Sequence, residues 1–294
     1  MNASSVVNAV TPRPISHRTT GTGHGPIVRL MSPSDYGQLI KPFVFLDLVE
    51  GPKSFLGSMP MHPHSGIATV TVITEGNVHF DDPEAGRGTI AYGGVEWMRA
   101  GGGVWHGKEM SAGTSDRIQG FQLWLALGPE LENGSVDSQY LEADAMPTSG
   151  LARVIVGQYE GVQSPVRAPE GINYLLVTIP AGESWTYTPP QGHESLWMSL
   201  SRGSVSSPDP IVAGEMVIFE RGSQVVTLEA GQAGATFVLG SAAPHPYDLK
   251  LGYYSVHTSE EALRAGEANI AEIGNRLRQQ AQSQESSTSV PVFK

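Results

Sequence analysis

The sequence predicts an all-β protein, two small barrels in tandem closed by one C-terminal helix. Three observations point there. Glycine (35) and proline (21) are abundant and charged residues make up only 16% of the chain. That balance suits many short strands with tight turns better than a helical bundle. Strand-like runs separated by turn residues fill 26–127 and again about 152–239. The two stretches also resemble each other. SGIATVTVITEGNV (65–78) can be laid over GHESLWMSLSRGSV (192–205), which puts Gly76 on Gly203, and IAYGGVEWM (90–98) over IVAGEMVIF (211–219). Both pairs keep their order and strand–turn character, as a duplicated unit would.

Taken in order, residues 1–24 are polar and short of core-forming side chains, so a flexible lead-in is expected. KPFVFLDLVEG reads as one strand. IATVTVITEGNVHF reads as two, meeting at Glu75-Gly76-Asn77, and GTIAYGGVEWM as two with a turn at Gly93-Gly94. GFQLWLAL closes the set. Residues 128–150 are turn-rich and read as a linker, giving a first barrel over 25–145 and a second over 146–258. The tail differs. SEEALRAGEANIAEIGNRLRQQ offers Ser259 as N-cap, acids in the first turn, and Arg276 and Arg278 near its end. Ala262, Leu263, Ile270, Ile273 and Leu277 form an apolar stripe, so an amphipathic helix over 259–283 is expected to pack on the body. A mobile tail, 284–294, follows.

Composition excludes several function classes. The 294 residues leave room for two domains and a sizeable core. With 18 basic and 29 acidic residues the net charge is -11, which argues against direct nucleic-acid binding. The absence of cysteine excludes disulfides, zinc–thiolate sites and thiol catalysis. No apolar run approaches the roughly 20 residues that span a bilayer, and no signal-peptide pattern opens the chain. A monomeric cytoplasmic protein with no membrane partner is expected. GGGVWHG is glycine-rich but lacks the Lys-Ser/Thr of a phosphate loop.

The chemistry concentrates in MPMHPHSGIATVTV. His62 and His64 are two apart, so on a strand both imidazoles face one side. Continuing that alternation gives Gly66, Ala68, Val70 and Val72, a small apolar face suited to a barrel interior. Imidazoles placed there without acids suit metal coordination, because neutral imidazole is a common ligand for iron, copper, nickel and zinc. The alternative is a pair of histidines at a strand start, satisfied by backbone. The repeat places Pro189, Gln191 and Thr227 where the first half has His62, His64 and His106. The second half therefore reads as scaffold, with His193 a lone histidine. His79 reads as surface. His17, His24, His245 and His257 fall in loops or ends without a partner at ligand spacing.

HPHSGIATVTVITEG, then GRGTIAYGGVEWMRAGGGVWH, then GFQLWLALGPE, in this order, resemble the pirin family, a bicupin group. RVIVGQYEGVQSPV and the helical tail after GYYSVHTSEEA fit it too, and the likeness covers about 26–278. It implies two cupin (jelly-roll-like) β-barrels face to face. One divalent metal ion is implied in the N-terminal barrel, Fe(II) ahead of Ni, Cu, Mn or Zn. The implied ligands are His62, His64, His106 and a glutamate two residues beyond the third histidine. Here HGKEM carries one extra residue, so Glu109 stands three from His106, and residues three apart on a strand point to opposite faces. A β-bulge at Gly107-Lys108, with Gly107 left-handed, would return Glu109 to the histidine face. Otherwise Glu109 faces solvent beside Lys108 and the site has three histidines. Glu96 is a weaker substitute. Two further departures are Ala68, where cupins commonly carry a glutamate, and Ser65, where an arginine is frequent after H-P-H. Trp97, Met98, Trp105, Phe121 and Trp124 are read as pocket lining or ordinary core, with Gln122 on the face of Trp124.

Some pirins are similar in activity to quercetin 2,3-dioxygenases. The resemblance therefore implies a dioxygenase that takes a flavonol-like substrate and dioxygen and opens the heterocyclic ring. Glu109 would be a ligand and the base for the flavonol proton. The alternative is a non-enzymatic, iron-binding redox sensor that modulates a transcriptional or metabolic protein partner. A closed four-ligand site favours sensing, and an open apolar pocket favours catalysis.

Overall fold

In a computed structural model, which describes residues 12–58, 60–82 and 86–284, two seven-strand paths share one order. The first runs Asp137–Leu141, Val95–Arg99, Ile67–Glu75, Arg117–Ala126, Phe43–Pro52, Ile27–Met31, Thr22–His24. The second runs Ile15–Thr19, Met216–Phe219, Ser195–Ser207, Val226–Ala242, Ile172–Ile179, Ala152–Val156, Thr148–Ser149. The turns repeat as well. Gly76 and Gly203 have φ of 78° and 73°, and Gly93 and Gly214 have 77° and 82°. A Cβ on Gly76 would meet the Arg117 carbonyl oxygen at 2.2 Å, and one on Gly203 that of Gly234 at 1.9 Å. Both the left-handed backbone and the close approach require glycine.

The ends of the paths depart from the sequence reading. Ile15–Thr19, expected in a flexible lead-in, pairs antiparallel with Met216–Phe219 and holds the seat in the second path that Asp137–Leu141 holds in the first. Arg13, only 1% exposed, donates to the carbonyls of Glu220 and Glu194. Asp137–Leu141 itself lies in the expected linker. Edge strands bind through backbone hydrogen bonds, so side-chain patterning does not reveal them. Residues 1–11 and 285–294, the rest of the expected lead-in and the tail, lie outside the described residues.

One core joins the halves. Phe43, Val70, Trp97 and Phe121 from the first meet Tyr174, Trp197, Ile218 and Val238 from the second. Trp197 packs edge-on against Phe43 at 5.4 Å. The second barrel is filled by Leu175, Val177, Met198, Leu200, Phe237 and Leu239, among others. The first is not filled this way. Cross-strand neighbours share a face. By register, Met98, Thr69, Trp124 and Phe45 form one inward row, and Glu96, Thr71, Gln122, Asp47 and Arg29 form a polar one beside it.

The helix runs Glu260–Gln284, so Arg276 and Arg278 precede its last turn. Ser259 Oγ accepts from the Ala262 amide at 3.1 Å, the expected cap. Leu263, Ile270 and Ile273 are buried. No described helix is long and apolar enough to cross a membrane. Residues 250–257, expected in the second barrel, instead form a short hairpin of Lys250–Gly252 and Ser255–His257 that bridges to Ser65 in the first.

Candidate metal centre

The site is built on one strand pair. His62–His64 and Val104–His106 run antiparallel with His106 opposite His62 and Val104 opposite His64. This register puts all three imidazoles on one face and Pro63 and Trp105 on the other. Trp105 Nε1 donates to the Ile270 carbonyl at 2.8 Å, which ties the back of the pair to the helix. In front, one ring nitrogen from each of His62, His64 and His106 lies within 4.8 Å of the other two.

Those nitrogens are positioned to bind a cation. His62 Nδ1 is 3.0 Å from the Pro60 carbonyl oxygen, and His64 Nδ1 is 3.2 Å from that of Tyr254. A carbonyl only accepts, so both Nδ1 atoms carry hydrogen and both Nε2 lone pairs are free. The Nε2 atoms of His64 and His106 are buried with no hydrogen-bond partner. Leaving such atoms unsatisfied costs roughly 1–3 kcal/mol each, and a metal ion would satisfy both. Burial, with His106 and His62 nearby, holds the His64 pKa well below its ordinary value. Burial and His62 lower that of His106 to about 3. Both rings are thus neutral, the ligating form.

The expected run of site-facing residues after His64 is corrected. Gly66 has φ 75°, and a Cβ there would meet the Val256 carbonyl oxygen at 2.0 Å. This left-handed residue breaks the two-residue alternation. Ala68, Val70 and Val72 consequently face the core between the halves, and Thr69 and Thr71 face the site.

Glu109 is also placed differently from either expectation. The strand ends at His106, the chain bends through 107–109, and it resumes as Met110–Ala112 paired with Asn77–Asp82. The extra residue therefore serves a crossing between two strand pairs and not a bulge in one strand. Gly107, φ 127°, makes the bend, and a Cβ on it would meet the Pro60 carbonyl oxygen at 2.9 Å. Glu109 is 8% exposed, so it does not face solvent. Its Oε2 accepts from the amides of Gly107 (2.8 Å) and Lys108 (3.0 Å). It lines a small pocket with His62, His106, Glu96 and Gln122 but lies outside the three-histidine group.

Glu96, a minor candidate in the sequence, is fully buried in that pocket and accepts from Thr71 Oγ1 at 2.7 Å. Burial raises its pKa to about 7, Glu109 and Asp82 add to the rise, and the Thr71 hydrogen bond opposes it. Alternation in VEWMR puts Glu96 opposite Trp97, but only the sheet shows that Trp97 takes the inter-barrel side.

A cleft of about 480 Å³ opens beside His62, lined by Phe45, Trp124, Gln122, Tyr254 and the Arg29–Asp47 pair, among others. Phe45 and Trp124 stack at 4.0 Å and 8°. The Arg29 guanidinium lies 4.0 Å from the Phe45 ring centroid. Tyr254 sits 5.6 Å from His62 and 5.8 Å from His64, ring to ring. Of the five aromatic and methionine candidates, Trp124 lines this cleft. Trp97 and Phe121 belong to the inter-barrel core, Met98 to the apolar row behind, and Trp105 to the helix contact. His193 is occupied elsewhere, with Nδ1 2.8 Å from Ser241 Oγ. His257, expected in a loop without partners, is buried 3.0 Å from Ser65 Oγ and 3.4 Å from Glu132.

Two barrels in tandem, the first alone carrying a three-histidine cluster among the described residues, define a bicupin with one candidate metal centre. More narrowly, the chain belongs to the pirin family, whose model, Pirin, matches residues 27–125. Pirin-like protein 2 of Arabidopsis thaliana is 30% identical over 76% of this chain and 71% of its own length. A Pseudomonas aeruginosa protein provisionally named a quercetin 2,3-dioxygenase is 28% identical over 76% of this chain and 83% of its own. The crystal structure of quercetin 2,3-dioxygenase from Acinetobacter baumannii shares the fold, with TM-score 0.70 and 24% identity over 91% of this chain and 95% of that one.

Proposed function

We propose that this protein is a metal-dependent dioxygenase that opens the ring of a quercetin-type flavonol or a similar small planar enol, with Fe(II) held by His62, His64 and His106. The observation that carries the reading is the convergence of free imidazole nitrogens beside an open, aromatic-lined cleft of about 480 Å³. The names of the Pseudomonas and Acinetobacter proteins support the same substrate class. Once bound, the ion would supply Lewis acidity toward the enol oxygen and a redox route to dioxygen.

The chain's own residues supply the rest. Trp124, backed by Phe45, offers a flat apolar face to a planar ring, and Tyr254 flanks it. Gln122 lines both the cleft and the small pocket of Glu96, so it is placed to orient a polar substituent. Glu96, buried in the small pocket beside His62 and His106, is the candidate base for the enol proton. Glu109 is the proposed fourth ligand or a second base, and either role requires its carboxylate to leave the Gly107 and Lys108 amides.

The test is oxygen uptake by anaerobically iron-loaded protein on adding quercetin, with a His106→Ala control. Uptake that vanishes in the control supports the oxygenase. No uptake with iron still bound moves the reading to the redox-sensing, partner-binding alternative, although the open cleft favours catalysis.

A further inference from the structure

The geometry points to Ser65, His257 and Glu132 as positioning residues of the metal centre, which fasten residues 250–257 so that the Tyr254 carbonyl fixes the ring of His64. This rests on the metal-centre reading above.

His64 presents Nε2 to the site because Nδ1 is committed to the Tyr254 carbonyl at 3.2 Å. Tyr254 has φ 55°, a left-handed conformation that non-glycine side chains disfavour. Its neighbours hold it there. Ser65 Oγ donates to Ser255 Oγ at 2.8 Å, and Ser255 Oγ donates to the Tyr253 carbonyl at 3.0 Å. The Val256 amide donates to the Ser65 carbonyl at 3.2 Å. With the Ser65 hydroxyl proton so used, its oxygen accepts from His257 Nε2 at 3.0 Å. The other ring nitrogen, Nδ1, lies 3.4 Å from Glu132 Oε2 without a hydrogen bond between them, so Glu132 holds this segment through the residue after His257. It accepts from the Thr258 amide at 2.6 Å and the Thr258 hydroxyl at 2.7 Å.

Ser65, Ser255, His257 and Glu132 are 0%, 2%, 1% and 3% exposed. The serine–histidine–glutamate order is that of a nucleophilic triad, but no substrate can reach it. The helix covers it at Gly266, where a Cβ would meet His257 Nε2 at 2.5 Å and Ser65 Oγ at 2.6 Å. The network instead connects residues 250–257, which follow the second barrel, with the residue directly after His64. It also accounts for a small hydroxyl residue at position 65. Partners that orient a metal-binding histidine through its second nitrogen set both tautomer and ring direction.

The experiment uses the full chain, Co(II) as probe, and the variants Ser65→Ala and Glu132→Gln. Long-range proton–nitrogen NMR reads the His64 tautomer, and chelator competition reads Co(II) affinity. Expected are a metal-free wild type with hydrogen on His64 Nδ1, and variants that bind Co(II) about 10–100-fold more weakly with a mixed His64 tautomer. A purely structural role would lower melting temperature and leave the tautomer and affinity of folded protein unchanged, which would overturn the inference. So would a metal-free wild type with His64 protonated on Nε2, a result that stands even if a variant fails to fold. Wild type that binds no Co(II) overturns the metal-centre reading itself, while the tautomer still reports on the positioning.

Discussion

Glu96→Gln should change how stability depends on pH. The carboxyl ionises near 4.5 when unfolded and at about 7 in the fold, chiefly because it is fully buried. Between those values the folded state keeps a proton that the unfolded state releases. The proton-linked stability is complete below about 4.5, declines as pH rises, and is lost above about 7. At about 1.4 kcal/mol per pH unit, the interval corresponds to about 3 kcal/mol. Glutamine is isosteric, stays neutral and still offers Thr71 an acceptor. The variant should match the wild type near pH 4.5 and exceed it by up to about 3 kcal/mol at pH 8. Urea unfolding of chelator-treated protein across this range measures the difference. A difference that stays flat, or one that shrinks as pH rises, would refute the assignment of a raised pKa to this buried carboxyl. In iron-loaded protein the ion's positive charge beside Glu96 would lower this pKa, so any rise of kcat/KM for quercetin that depends on Glu96 should come at lower pH than the stability change and be lost in the variant.

Three further outcomes are expected. His64→Ala should strip the metal, as read by elemental analysis after gel filtration, and full retention would count against the three-histidine site. Trp124→Ala should raise KM for quercetin about tenfold, the equivalent of ~1.4 kcal/mol of lost ring contact, with metal content unchanged. An unchanged KM would place the substrate elsewhere. Trp197→Ala, which empties a fully buried position against Phe43 and Tyr174, should cost about 3–5 kcal/mol in urea unfolding, and a loss under about 1 kcal/mol would mean the halves do not share a core.

Part of the site was legible in the sequence: His62 and His64 are local to one strand, and His106 came from the family resemblance. The H-P-H spacing set two imidazoles on one face, and the strand pair Val104–His106 brought the third opposite them. Glu109 was harder to read. Parity counting supposed one continuous strand with or without a bulge, whereas the chain leaves that strand at His106 and joins another pair at Met110. Glu96 stayed in the background because alternation separates two faces without saying which one looks inward. His257 looked unpartnered because its partners, Ser65 and Glu132, lie 192 and 125 positions away in the chain.

Beyond what the family resemblance implied for His106, the sequence by itself determined the strand-rich duplicated architecture, the capped C-terminal helix and the shared face of His62 and His64. Each follows from composition, short-range periodicity or a residue's own chemistry. Only the tertiary structure decided that Gly66 turns the histidine face away from Ala68, Val70 and Val72, that Ile15–Thr19 completes the second barrel, and that the Tyr254 carbonyl reaches back to His64. Alternation along a strand shows which side chains share a face. What that face meets is set by backbone pairing and by contacts between segments far apart in the chain, which leave no local mark in the residues that make them.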